Sequence, residues 1–184
     1  MINRDPGGLI LLLTVLSTGA FGQPGASGTP KARESPVVGT GAAYTLWVLH
    51  HSDYDEMQAG QLAMANAGSE ELKAFGRTLV TDHQAASQKV LATARKLQVD
   101  LEPNITGGDK ALFERMKAKM GELKSIKGAQ FDASFSKMMT REYQRVIAIV
   151  TEALDDPKQE SIKPLLQDLL PQLKSHERVA QNFK

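Results

Sequence analysis

From Ala42 onward, apolar residues return every three or four positions, the spacing that lays one stripe along an α-helix. Leu46, Leu49, Asp53, Glu56, Gly60 and Ala63 follow that step across a Pro-free stretch, which predicts a helix over Ala42–Ala67. Gly68-Ser69 supplies a stop and a new N-cap, with Glu70 and Glu71 in the first turn, where the helix dipole favours acids. A second helix then carries Leu72, Phe75, Leu79, His83, Ala86, Val90, Ala94 and Leu97. Pro103 and Gly107-Gly108 mark a loop, and Asp109 is placed to cap a shorter helix bearing Leu112, Met116, Met120 and Leu123. Gly128 separates it from a helix over Ala129–Leu154, with Phe131, Phe135, Met138, Glu142, Val146, Ile149 and Ala153 on one face. After Asp155-Asp156-Pro157, the last helix steps through Ile162, Leu166, Leu169, Leu173, His176, Ala180 and Phe183 in a strict heptad pattern. Pro164 suits its first turn, whereas Pro171 is expected to kink or split it.

Connection lengths turn these helices into a topology. The first two long helices are joined by a tight turn, and so are the last two. The link from Gln98 to Gly128 is roughly 30 residues, enough to run back along a helix of about 42 Å at 1.5 Å per residue. Two antiparallel hairpins joined by one long crossover carrying a short helix form the ferritin-like four-helix bundle. The fold class is therefore all-α, with the bundle occupying 42–184.

Four ionisable residues interrupt the apolar stripes, one on each long helix: Glu56, His83, Glu142 and His176. Buried charge is costly unless paired or liganded. Counted from the tight turns, Glu56 and His83 differ in height by about 4.5 Å, and Glu142 and His176 by about 7.5 Å. All four can meet near one cross-section. Two imidazoles with one or two carboxylates suit a single Zn, Fe, Mn or Cu ion. Asp82 and Tyr143, adjacent in sequence to His83 and Glu142, are candidates for the surrounding hydrogen bonds. The residues three before the histidines are Val80 and Leu173, so the paired Glu-x-x-His motifs of a di-iron centre are absent. A metal-free Glu–His network inside the bundle is the competing interpretation. His50 and His51 are adjacent, diverge by about 100° on a helix and are expected to face water. The methionines are expected to fill core gaps rather than ligate copper.

The N-terminus has a different character. Leu9–Leu16 reads LILLLTVL, a length typical of a signal-peptide core and too short to span a bilayer. Ala20-Phe21-Gly22 puts small residues at −3 and −1, predicting a leader over 1–22; an uncleaved membrane anchor is the alternative. The Pro- and Gly-rich stretch 23–41 is expected to be a flexible linker.

Composition narrows the functional classes. Of 184 residues, 22 are Lys or Arg and 21 Asp or Glu, so the basic excess typical of nucleic-acid binding is missing. There is no Cys, which removes disulfides, thiolate metal sites and cysteine nucleophiles. No phosphate-binding loop or nucleophile motif is present, and no residue is singled out as catalytic. Asn104-Ile105-Thr106 matches a glycosylation sequon.

Four segments carry a family resemblance. Phe75-Gly76-Arg77-Thr78-Leu79-Val80-Thr81-Asp82-His83 resembles an FA-x-x-M-V-x-D-H signature. It is accompanied by Glu56–Ala63, Gly128–Asp132 and Leu170–His176 in the expected order. Over Tyr44–Asn182 the chain is similar to the exported bacterial domain-of-unknown-function family numbered forty-one forty-two, which bears the label "predicted outer membrane protein". The resemblance implies a ferritin-like bundle in the cell envelope, without an established activity. The family tends to carry a His on its third long helix, where this chain has Tyr143. A helical domain also sits poorly with an outer-membrane barrel.

Two functional expectations follow. The first is a non-enzymatic periplasmic or secreted domain with a binding or stress-related envelope role, its partner an envelope protein or a second copy docked on the Met-bearing short helix. The second is a mononuclear, redox-active or metal-buffering protein using Glu56, His83, Glu142 and His176.

Overall fold

The computed structural model describes residues 41–102 and 107–183. The expected leader, most of the expected linker and the sequon lie outside the described residues. The helices are α1 (Ala42–Asn66), α2 (Glu70–Leu97), α3 (Gly107–Lys124), α4 (Gly128–Asp155) and α5 (Lys163–Ala180), with a 3-10 turn over Pro157–Ile162 before α5. Each predicted helix is present, but α3 begins at Gly107, ahead of the Asp109 expected to cap it, and α5 ends at Ala180 rather than Phe183.

Helix α1 packs on α2, α4 on α5, α1 on α4 and α2 on α5, which closes a four-helix square. The crossover helix α3 lies against α1 and α4. The end of α1 meets the start of α4 through a parallel bridge between Ala67 and Gly128. At the opposite end, the Thr45 hydroxyl donates to Gln159 Oε1 at 2.8 Å. Helix α4 therefore runs antiparallel to α1, as a long crossover requires. This is the ferritin-like all-α arrangement.

Local chemistry explains the ends. The Ser69 hydroxyl accepts from Leu72 N at 3.2 Å, capping α2, and Gln98 closes it in the left-handed conformation at φ 56°. The buried Asp132 of α4 reaches across to the α1–α2 turn. Its carboxylate accepts from Gly68 N at 2.9 Å and Ser69 N at 3.0 Å, satisfying amides that a helix start otherwise leaves orphaned.

Two glycines determine how closely the first hairpin packs. A Cβ on Gly60 would stand 2.6 Å from the Gly76 carbonyl oxygen, and one on Gly76 would stand 2.6 Å from the Gly60 carbonyl oxygen. The two backbones touch there, a spacing only small residues permit.

Around this frame the predicted stripes form the core. Ile162, Leu166, Leu169, Leu173, His176 and Ala180 are buried along the α5 seam. Phe135 meets Phe75 edge-on at 6.4 Å and stacks on Phe131 at 5.7 Å. Pro164 sits in the first turn of α5. Pro171 does not split the helix, which continues through it to Ala180. The break falls instead at the 3-10 turn, where the chain leaves α4.

Candidate metal centre

Glu56 of α1, His83 of α2 and His176 of α5 are all at most 4 % exposed. They bring one carboxylate oxygen and two ring nitrogens to within 4.8 Å of one another. His83 Nε2 is 3.2 Å from His176 Nδ1 and 2.6 Å from Glu56 Oε2.

The far side of each imidazole is fixed by an acid. His83 Nδ1 donates to Asp53 Oδ1 at 2.8 Å, and His176 Nε2 donates to Asp82 Oδ2 at 2.9 Å. A carboxylate only accepts, so each of those nitrogens carries the proton. In two neutral rings, His83 Nε2 and His176 Nδ1 would then face each other as lone pairs. Either a proton or a cation must lie between them. Glu56 turns its carboxylate to the same space, where Oε2 forms an ion pair with His83.

The charges follow from this crowding. Burial alone lowers the His83 imidazolium, but the Glu56 charge and the contacts with Asp53 and Glu56 outweigh it and push the ring up to about 10. His176 moves the other way, lowered by burial and by the neighbouring His83 charge. Burial raises Asp53 to about 6 against the opposing pull of His83. Without a metal, His83 therefore carries the extra proton, and its Nε2 pairs with Glu56 Oε2 at 2.6 Å, with His176 Nδ1 beside it at 3.2 Å.

Tyr143, fully buried on α4, turns its ring toward both histidines, with centroids 6.5 Å from His83 and 5.8 Å from His176. Its hydroxyl faces the Glu56 carboxylate. Burial and the Glu56 charge hold it well above the ordinary phenol range.

Glu142 does not join this group. It is buried, but it forms a close ion pair with Arg145, and Ser52 donates to its Oε1 at 3.2 Å. Neighbouring positions on a helix differ by about 100°. With Tyr143 aimed at the histidines, Glu142 falls on the flank facing α1 and α3. Asp82 also differs from the simplest expectation, because it orients His176 across the bundle rather than its neighbour His83. Asp53 is the residue that sequence reasoning missed. It stands in the α1 stripe three positions before Glu56, and a second acid on that stripe was the available signal.

His50 and His51 are not on an open surface. His51 packs against Trp47 at 4.7 Å and Phe113 at 5.8 Å, because α3 covers this part of α1. His50 reaches Glu102 at 3.5 Å. Met120, Met138 and Met139 are core residues.

The model of a family described as Domain of unknown function (DUF4142) matches residues 28–183. The chain belongs to that family. Among solved structures, a Streptomyces coelicolor DUF305 protein described as secreted superposes on this DUF4142 chain with a TM-score of 0.57. At 12% identity, covering 75% of this chain and 86% of the other, it is a likeness of fold. No curated protein matches the chain. Among the described residues of this DUF4142 domain, no helix is long and apolar enough to cross a membrane.

Proposed function

We propose that this DUF4142 protein is an exported ferritin-like domain that holds one transition-metal ion between Glu56, His83 and His176. The observation that carries the reading is the facing pair His83 Nε2 and His176 Nδ1. Each ring has its other nitrogen engaged by a carboxylate, and the buried Glu56 carboxylate stands beside them, its Oε2 2.6 Å from His83 Nε2. Carboxylates that hold the far N–H of ligating histidines fix the tautomer and raise ligand basicity. Here Asp53 and Asp82 do so for both rings. The hard-plus-imidazole donor set fits the residues present. Two histidines and one carboxylate suit Fe(II), Zn or Mn, with Cu as a further option. When bound, such an ion supplies Lewis acidity and, for Fe or Cu, one-electron chemistry. The chain's own residues bind and orient it, while Tyr143 and the surrounding core exclude water.

The export part of the reading rests on the signal-like Leu9–Leu16 run and the Pro- and Gly-rich stretch after it. It fits a neighbour described as secreted. Periplasm or cell exterior is the proposed location, and a binding or buffering role in the envelope is the proposed use.

A metal-free structural role is the second reading, favoured by the elevated His83, which lets a buried imidazolium balance Asp53 and Glu56. Metal analysis of protein isolated from its native compartment without an affinity tag separates the two. About one equivalent of metal, lost in both His83→Ala and His176→Ala, is expected. Absence of stoichiometric metal in the natural protein, together with unchanged titrations in those variants, would establish the structural reading.

A further inference from the structure

A groove of about 620 Å³ runs between α3 and α4, within the size range of small-molecule sites. None of Glu56, His83 and His176 lines it. Its floor is apolar, built from Met116 and Leu123 of the crossover helix and Met138 of α4. Its walls carry two cationic pairs, Arg115 with Lys119 on α3 and Lys137 with Arg141 on α4. Each pair is spaced four residues apart and so occupies one face of its helix. Both faces line the same groove.

Two acids also line the groove, and they offset one of these four cations. Glu142 is held by Arg145, and Glu122 stands 4.0 Å from Lys119. Arg115, Lys137 and Arg141 have no ion-pair partner among the described residues. Like charges around a concave, low-dielectric wall reinforce one another's field and favour an anion. A simple inorganic anion would satisfy the walls and leave the apolar floor wet. A neutral apolar molecule would cover the floor and leave the cations repelling one another. A ligand with a carboxylate head and a single apolar chain satisfies both, since arginine pairs with carboxylate through two parallel hydrogen bonds.

We propose that the α3–α4 groove binds a single-chain anionic amphiphile of the long-chain fatty-acid class. Its carboxylate meets Arg115, Lys137 and Arg141, and its chain lies on Met116 and Met138. The site is separate from the imidazole cluster and stands or falls without it.

A fluorescent fatty acid, dansyl-undecanoate, titrated into the purified protein tests this. Saturable one-to-one binding is expected, displaced by oleate but not by oleyl alcohol or methyl oleate. The Lys137→Glu/Arg141→Glu double variant should weaken binding by about tenfold or more, with its circular dichroism and melting temperature preserved. These side chains are exposed, so folding should survive; if it does not, Arg115→Ala provides the same test from α3, with a loss of about threefold or more expected. Lys96→Glu, a charge reversal on the exposed face of α2 outside the groove, should bind as the parent does. Equal displacement by oleyl alcohol, unchanged affinity in the charge variants, or no saturable binding up to about 100 µM would overturn the proposal. Adsorption to phosphatidylglycerol vesicles without binding of the free fatty acid would overturn it in favour of membrane docking.

Discussion

His83 and His176 lie on different hairpins, yet their ring nitrogens face each other at 3.2 Å, each ring backed by its own aspartate. If a metal occupies the space between them, the backing acids should govern its affinity. Asp53→Asn and Asp82→Asn are each expected to weaken Zn(II) or Co(II) binding by about 10–100-fold. The ligands themselves are left in place. Competition titration against a chromophoric chelator measures this, and unaltered affinity in both variants would count against the assignment.

The same ring should be a main charge anchor of the metal-free fold. His83→Ala leaves Asp53 and Glu56 buried without a counter-charge, a loss of about 3–5 kcal/mol by analogy with broken buried pairs. Denaturant unfolding in excess chelator measures it. The pH dependence has a definite sign. A histidine raised from 6.5 to about 10 contributes stability that is complete below pH 6.5 and is lost as pH climbs through about 10. The chelated parent should therefore melt at a lower temperature at pH 10.5 than at pH 7. His83→Ala should show a smaller drop across that interval.

Asp55 offers an opposite sign. Burial raises it to about 6, assisted by the nearby Glu142 and Glu56 charges. A carboxyl whose pKa is higher in the folded chain than its ordinary 3.8 favours folding most when protonated, and that stability is lost as pH rises from 3.8 through about 6. Asp55→Asn should stabilise the protein at pH 7.5 by about 1 kcal/mol, a figure already reduced for its partial exposure. The gain should vanish near pH 4. Thermal melts of both proteins at the two pH values decide it.

Gly60 and Gly76 invert a common rule. Glycine to alanine inside a helix ordinarily stabilises by about 1 kcal/mol. Here the new methyl would meet a carbonyl oxygen at 2.6 Å, so α1 and α2 would have to separate. Gly60→Ala and Gly76→Ala should each cost about 1–3 kcal/mol. Gly121→Ala, where nothing lies within 4 Å, should be neutral or stabilising. Equilibrium unfolding of the three variants side by side provides the comparison.

Much of the architecture was legible because the bundle repeats one simple rule. Buried positions recur every three or four residues, and the tight turns at Gly68 and Asp156 fall where capping chemistry predicts them. The polar interruptions at Glu56, His83 and His176 could be read for the same reason, and the residues do converge. Glu142 shows where periodicity fails. A stripe defines which face of a helix is buried, yet not which of two interior directions a residue takes. On α4 a rotation of one position gives the cluster to Tyr143 and hands Glu142 to Arg145. The partnerships of Asp53 with His83 and Asp82 with His176 depend on side-chain reach across the square, information that no single helix contains. The Asp132 contacts are hidden similarly, since they tie residues more than sixty positions apart.

Asp132 has a mechanical consequence. Because one side chain of the second hairpin grips two amides in the bend of the first, neither half can peel away without breaking two charge-assisted hydrogen bonds at once. The halves should therefore melt together, in a single cooperative transition, and any breathing that admits solutes should occur at the far end of the four helices.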